Sequence, residues 1–251
     1  MLRFALAEAV DRRAIVVPFS ATHVQEADHI ADGDGSNAPE GLAESRLRFL
    51  SELTQDAYLY NAGNSYCPAI IRQNPEEVRR TVNKVPFAKP AMRDFVDMFG
   101  LSILKGVRNE LRLSPNDLNN IKPPGVIEQL DQAIAQKLAG RFPGLPPGFG
   151  VRQLLDTALK FYPNSEKLSI NSKIAAVFSG LNSFGFWPDN PKKTTSMAAF
   201  FDSMHAANAT LCYYFVSEDK ALRVKSMAVY ELFGFETRVV NVNEIIAILY
   251  G

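Results

Sequence analysis

The chain has 251 residues, with 27 basic and 27 acidic side chains, so its formal net charge is zero. Zero net charge argues against a protein that binds nucleic acid through bulk positive charge, and no apolar run reaches the roughly 20 residues that span a bilayer. Hydrophobic residues make up 47% of the chain, which is enough for a buried core, and two cysteines exclude a disulfide framework or a four-thiolate zinc site. The sequence predicts a soluble cytoplasmic protein.

The first elements alternate between helix and strand. Apolar spacing predicts a helix over 2–13, a short buried strand over 14–19 and a helix over 20–30 with Ser20 as its N-cap. Residues 40–190 are mostly helical in pattern, and Phe184, Phe186 and Trp187 are predicted to pack between this region and the sheet.

The last part of the chain continues the alternation. A helix over 197–210 leads to a strand over 211–217, a helix that ends at Gly234, and a strand over 236–242. Such alternation predicts a three-layer α/β/α fold with a parallel sheet. We expect this α/β domain to comprise 1–60 and 165–251, with 61–164 as a large, mostly helical insertion whose Pro/Gly-rich loops lie at 121–150.

Polar residues follow two of the predicted strands, at the edge where parallel sheets bind ligands. Three carboxylates in these positions are predicted to converge, and they would repel one another unless a cation neutralised them. Mg²⁺ or Mn²⁺ suits such a site because hard ions prefer oxygen ligands. The three acids are Glu26, Asp202 and Asp219, and their polar neighbours are His23, His205, Ser217 and Glu218.

Charge is distributed unevenly along the chain. Residues 1–60 hold five basic and ten acidic side chains, whereas residues 72–112 hold nine basic and five acidic ones. The basic segment is either a solvated helical face or part of a surface for an anionic partner. The cations nearest in sequence to the predicted site are Lys192, Lys193 and Lys220, with Arg79 and Arg80 available from the insertion.

Two stretches resemble the PIN-like domain family. The segment DSMHAANATLCYYFVSEDKALRVKSMAVYELFGFETRVV is similar to the carboxyl half of these domains: an acid near a helix start, an Ala-rich helix, a strand, and a Thr/Ser-x-Asp turn followed by a basic residue. The segment VVPFSATHVQEA is similar to the second strand and helix of one PIN branch, including its Ser-x-x-His-x-x-Glu spacing. The resemblance covers roughly 1–60 and 165–247.

PIN-like domains are metal-dependent nucleases that act mainly on RNA, so the resemblance implies an endoribonuclease. It implies that Glu26, Asp202 and Asp219 are the second, third and fourth acids of the metal site. His23, His205, Ser217 and Glu218 would lie beside the metal ion or the substrate, and Lys192, Lys193 and Lys220 would contact phosphate. Single-stranded RNA, an inhibitor protein and a second copy of the chain are the implied partners.

The chain departs from the family pattern at its start. PIN-like domains carry an aspartate at the end of a first strand, and here the sequence opens in the helix that follows this strand. Either the strand lies upstream of Met1, or the protein is an inactive PIN-like module that binds RNA or protein. A third hypothesis is a transition-metal site made by His23, Glu26, Asp202 and His205.

Overall fold

The structure is a computed structural model, and it describes residues 2–32, 41–60, 68–82, 106, 108–110, 112, 114, 118–121, 124–139, 150–160, 169–188 and 196–251. Within these residues the helices are α1 Leu2–Asp11, α2 Ala21–Asp32, α3 Leu42–Thr54, α4 Pro75–Val82, α5 Val126–Ala139, α6 Val151–Lys160, α7 Ile170–Phe184, α8 Ser196–Ala209, α9 Lys220–Phe233 and α10 Val242–Tyr250. The strands are β1 Ala57–Tyr60, β2 Ala69–Arg72, β3 Tyr214–Val216 and β4 Arg238–Val240.

The chain divides into two compact units. Unit 1 comprises Met1–Ala88 and Val242–Gly251, and unit 2 comprises Lys89–Asn241. These bounds differ from the predicted division into 1–60 with 165–251 and 61–164. The physical reason is packing: β1, β2 and α4 belong with α2 and α3, while α5 and α6 share a core with α7 and α9.

Unit 1 is built of helices around an antiparallel hairpin. Strand β1 pairs with β2 in the register Tyr58↔Ile71 and Leu59↔Ile70. On the other side of β1, the backbone N–H of Phe19 donates to Ala57 O at 2.9 Å, and the N–H of Leu59 donates to Phe19 O at 2.7 Å. Hence β1 lies between β2 and a single parallel bridge at Phe19.

The predicted buried strand over 14–19 is wrong apart from this bridge. Residues 15–18 form no ladder, and Val16 is 61% exposed. Pro18 lacks the N–H that a strand would donate, which helps to explain why pairing begins only at the next residue. Phe19 itself is fully buried, and its ring lies 5.1 Å from that of Tyr58 in the unit 1 core.

Unit 2 contains a β3–α9–β4 segment in which the two strands are parallel. Phe215 pairs with Val239 and Val216 with Val240. Helix α9 begins after Asp219 and ends at Gly234, whose φ of 71° lies in the left-handed region that terminates helices. The predicted helix and both predicted strands of this segment are confirmed, although each strand is three residues long.

The unit 2 core lies among helices α5, α6, α7, α8 and α9. Its fully buried residues include Leu130 and Ile134 of α5, Ile174 and Phe178 of α7, and Ala228 of α9. Burial of such side chains contributes about 1.5–3 kcal/mol each for the larger ones. Phe184 and Phe186, predicted as packing residues, are 2% and 0% exposed and lie in this core.

Helix predominates over strand in the described part of the chain, and each of its two sheets has two strands. The parallel β3–β4 pair agrees with the predicted α/β class, and the full three-layer architecture stays a prediction. Among the described residues, no helix combines the length and apolar character that a membrane span requires.

Candidate functional site

The turn between β3 and α9 holds four of the residues predicted for the site, Ser217, Glu218, Asp219 and Lys220. The N–H of Ser217 donates to Val240 O at 3.1 Å, so the parallel ladder continues one residue beyond β3. This bond fixes the turn against the carboxyl end of β4, and the carboxyl ends of parallel strands are where α/β folds bind ligands.

Asp219 is the N-cap of α9. Its Oδ1 accepts a hydrogen bond from the N–H of Leu222 at 2.9 Å, and its own N–H donates to Ser217 Oγ at 3.1 Å. The cap satisfies one of the backbone donors that a helix start leaves unpaired, and a carboxylate is favourable beside the positive end of the helix dipole. Asp219 is nonetheless exposed, so capping leaves its carboxylate at the surface.

Two cations flank this turn. Arg223 Nη1 donates to Ser217 O at 2.6 Å, which ties the first turn of α9 to the end of β3. Lys220 Nζ lies 4.8 Å from the ring centroid of Trp187. The turn therefore presents two carboxylates, a hydroxyl and two positive charges within a short stretch of chain.

Asp202 and His205 lie in α8, the helix that leads into β3. Both are half-buried, and their spacing of three residues places them on one helical face. Ser203 between them is 1% exposed and donates from Oγ to Phe200 O at 2.7 Å. Helix α8 packs against α7, α9 and β3, so Asp202 and His205 belong to the same unit as the Asp219 turn.

Glu26 and His23 lie in α2, within unit 1. The Nδ1 atom of His23 lies 3.0 Å from Ser20 Oγ and accepts a hydrogen bond from the Ser20 N–H at 3.1 Å. The bond from the Ser20 N–H to the ring of His23 corresponds to one half of a capping box, with histidine in place of the usual Glu or Gln. The Ser-x-x-His spacing therefore has a local explanation at the start of α2, and Glu26 follows one turn later.

The predicted site residues are thus divided between the two units. Unit 2 holds Asp202, His205, Ser217, Glu218, Asp219 and Lys220, whereas unit 1 holds His23 and Glu26. Lys192 and Lys193 lie outside the described residues. Within the described ranges, no three His, Cys, Asp or Glu side chains are grouped so as to hold a metal ion. The convergence of the three acids and the histidine–carboxylate alternative both stay predictions.

Arg79 was predicted from the sequence as an available phosphate contact. In the structure it forms ion pairs with three carboxylates of unit 1. Its Nε lies 2.8 Å from Asp28 Oδ1, and its Nη1 lies 3.1 Å from Glu44 Oε1 and 3.7 Å from Glu76 Oε2. Burial lowers the Arg79 pKa, but the hydrogen bond with Glu44 and the three negative charges outweigh it and raise the pKa overall. The pKa of Glu44 is lowered, first by a backbone hydrogen bond and then by Arg79.

Three residues around the unit 2 site were not singled out from the sequence as functional. The sequence gives no signal for Arg223, because its contact with Ser217 lies within a turn. It gives none for Trp187 either, because the contacts of Trp187 join segments that are far apart along the chain. Lys225 is 1% exposed, with Nζ 4.7 Å from the ring centroid of Phe178. It shares the helical spacing of buried Leu222 and Val229, and a lysine at an apolar position of a helix is a signal that sequence reading can use.

Comparison with models of protein families, with curated proteins and with solved structures finds no match to this chain.

Proposed function

We propose that the chain is a PIN-like, metal-dependent endoribonuclease that hydrolyses phosphodiester bonds of single-stranded RNA. The observation that carries the proposal is the β3–α9–β4 segment, in which parallel strands hold Ser217, Asp219 and Lys220 at their carboxyl end. This order of strand, Ser-x-Asp turn, basic residue and helix is the one on which the resemblance to PIN-like domains rests. The proposal includes the three-layer α/β/α architecture of that family.

In this proposal Glu26, Asp202 and Asp219 are the residues that would hold Mg²⁺ or Mn²⁺. Their carboxylate oxygens are the donors that these hard ions prefer. A bound ion would neutralise the carboxylates and the charge that develops on the phosphodiester during hydrolysis. His23, His205, Ser217 and Glu218 are assigned to supporting positions around the ion and the substrate.

The protein's own cations bind and orient the RNA in this proposal. Lys220 is exposed directly beside Asp219, and Lys192 and Lys193 are proposed to extend the same contact along the strand. Lysine recognises phosphate as a compact point charge, which suits contacts that do not depend on base sequence. We therefore expect cleavage with little preference for sequence and with strong inhibition by salt.

The substitution Asp219→Ser tests the assignment of Asp219. Serine is a good N-cap, so this variant keeps the start of α9 while it removes the carboxylate. We expect the melting temperature to stay near that of the parent protein, and Mn²⁺-dependent cleavage of a single-stranded oligoribonucleotide to fall by at least a hundredfold. Asp202→Asn is expected to abolish the same activity, whereas Glu236→Gln, an exposed acid of unit 2, should leave it unchanged.

A second candidate function is a PIN-like module that binds RNA or protein without cutting it. The Asp219 cap favours this candidate, because the hydrogen bond to Leu222 accounts for the carboxylate without any ion. Cleavage that persists at the parental rate in Asp219→Ser or Asp202→Asn would contradict the nuclease site. RNA binding by the parent protein with no cleavage in Mn²⁺ or Mg²⁺ would establish the non-cutting module.

A further inference from the structure

Trp187 is the one tryptophan of the chain, and its backbone is held in an unusual conformation. Its φ is 46°, a region that bulky side chains rarely enter and that costs of the order of 1–3 kcal/mol. The side chain of Asn119 stabilises this conformation, because Asn119 Oδ1 accepts a hydrogen bond from the Trp187 N–H at 2.7 Å. The fold thus keeps Trp187 in a fixed place despite the backbone cost.

The ring of Trp187 supports the ammonium group of Lys220. Trp187 packs against the unit 2 core, and Lys220 Nζ lies 4.8 Å from the ring centroid. A cation–π contact of this kind contributes about 0.5–1 kcal/mol at an exposed site. Among the described residues, the indole Nε1 is buried and has no hydrogen-bond partner, so the ring is held by packing and not by a polar contact of its own.

The position of Lys220 combines favourable and unfavourable charges, since the exposed carboxylates of Glu218 and Asp219 directly precede it. Lys220 is the first residue of α9, and a positive charge in the first turn of a helix opposes the helix dipole. Arg223 in the same turn adds a second positive charge, although it donates to Ser217 O. The contact with Trp187 offsets part of this cost and restricts a long side chain that would otherwise sample many rotamers.

We propose that Trp187 is a positioning residue whose ring holds the Lys220 ammonium beside the Asp219 turn, where the ammonium contacts a phosphate of the RNA strand. This inference rests on the proposed function for the identity of the ligand. Because the ring packs against the core and carries the ammonium over its face, we assign it to holding Lys220 and not to stacking bases. The Lys220 ammonium is then already positioned relative to Asp219 before the RNA binds, which favours binding.

The test measures binding of a fluorescently labelled single-stranded oligoribonucleotide by anisotropy, in EDTA, over a series of salt concentrations. Lys220→Gln should weaken binding about three- to tenfold and reduce the slope of log K against log salt by about 0.7, the value for one phosphate contact to a single strand. Lys220→Arg keeps a cation that stacks on aromatic rings and should retain most of the affinity. Lys160→Gln, an exposed lysine of α6, should change neither quantity.

Substitution of the tryptophan tests the positioning role itself. Trp187→Leu should weaken binding about two- to fivefold, less than Lys220→Gln does because the lysine charge remains, and the double variant should bind no more weakly than Lys220→Gln alone. Trp187→Phe keeps an aromatic face and should lie between the parent protein and Trp187→Leu. If Trp187→Leu fails to fold, Trp187→Phe takes its place in the double variant.

Intrinsic fluorescence gives a second readout, because emission comes from a single tryptophan. Addition of the unlabelled oligoribonucleotide should change the emission of the parent protein, and Lys220→Gln should reduce that change. Three results would each overturn the inference. They are additive losses in the double variant, an unchanged salt slope in Lys220→Gln, and the absence of RNA binding in EDTA. RNA binding with these effects but without cleavage in Mn²⁺ would refute the proposed nuclease and leave the inference standing.

Discussion

Tyr230 is a buried side chain whose ionisation the fold opposes. It is 2% exposed, and its hydroxyl donates to Ala206 O at 2.6 Å. Burial, followed by the charge of the nearby Cys212 thiolate, raises the pKa of Tyr230 far above the ordinary value near 10. By contrast Tyr213 is 89% exposed.

The raised pKa of Tyr230 predicts loss of stability in alkali. Because the native state holds this proton more tightly than the unfolded state, the stabilisation is fully present below about pH 10 and is lost as pH rises towards the raised pKa. Tyr230→Phe should lose about 1 kcal/mol at neutral pH with the hydrogen bond to Ala206, but its stability should fall less between pH 10 and 11. Denaturant unfolding at several pH values measures both effects.

Tyr213→Phe is the matched control for this prediction, and its alkaline stability profile should follow that of the parent protein. Absorbance at 295 nm gives an independent check, since tyrosinate formation in the native protein should lack the Tyr230 contribution until the protein unfolds. Ionisation of Tyr230 together with the exposed tyrosines, in a protein that stays folded, would contradict the burial argument.

At this scale the sequence predicts local contacts well and remote contacts poorly. The N-cap role of Asp219 follows from its place before an apolar helical pattern, because cap and helix are neighbours along the chain. The support of Lys220 by Trp187 and of Trp187 by Asn119 depends on segments 33 and 68 residues apart, and no spacing rule connects them. The predicted approach of Glu26 to Asp202 and Asp219 likewise depends on contacts between segments that are far apart along the chain.

Arg79 joins three helices of unit 1. From α4 it reaches Asp28 of α2, Glu44 of α3 and Glu76 of its own helix. The Arg79 side chain is 26% exposed and the Asp28 side chain 14% exposed, so the contact with Asp28 is screened less than a surface ion pair. A planar guanidinium is suited to such a junction because its donors point in several fixed directions.

We expect Arg79→Ala to destabilise unit 1 by about 2 kcal/mol, since half-buried Asp28 loses this charged partner. Arg80→Ala is the matched control: Arg80 is the next residue of α4 and is exposed, so its loss should cost less than about 0.5 kcal/mol. Arg79→Lys should lie between them, because one ammonium cannot serve all three carboxylates. Chemical denaturation followed by circular dichroism compares the variants, and equal costs for the two alanine variants would contradict the role of Arg79.

Among the elements, helices with a regular apolar face are predicted more reliably than short strands. Helix α8 covers Ser196–Ala209 where 197–210 was predicted, and α9 ends at Gly234 as expected. The pairing of β1 with β2 was not predicted, because all four residues of β2 are exposed and its sequence lacks the alternation of a half-buried strand. Burial of Phe19 by tertiary contacts, not by a strand of its own, explains the error over 14–19.

Unit 1 is assembled from two separate parts of the chain, and α10 is the second part. Helix α10 packs against α1. Ile245 is 5% exposed, while Ile248 on the same helix is 39% exposed. The hydroxyl of Tyr250 also donates to Glu8 Oε2 at 2.9 Å, which joins the end of α10 to α1. The integrity of unit 1 therefore depends on residues that follow unit 2 in the sequence.

We expect Ile245→Ala to destabilise unit 1 by about 2–5 kcal/mol through the cavity it creates. Ile248→Ala changes the same residue type in the same helix and should cost much less, since Ile248 is partly solvated. Trp187 lies in unit 2, so its fluorescence should report an unfolding transition close to that of the parent protein, while amide hydrogen exchange in α1 accelerates. An equal shift of the Trp187 transition would show that the two units unfold together.

The domain boundaries illustrate what composition cannot provide. Proline and glycine are concentrated at 121–150, within the predicted insertion 61–164, and α5 lies inside this stretch while α6 follows it in the same unit. Prolines and glycines mark turns between helices, and a turn separates two units only if the helices on its two sides pack apart. That depends on which apolar faces meet, and several faces of similar character compete in a mostly helical chain.

Asn241 is the single residue between β4 of unit 2 and α10 of unit 1. During synthesis, every residue of unit 2 leaves the ribosome before α10 does, and α1 leaves it before both. The nascent chain can therefore complete unit 2 while the α1 surface that receives α10 is still uncovered. Unit 1 therefore reaches its final packing only after unit 2 has been synthesised, and until then this α1 surface is open to other molecules.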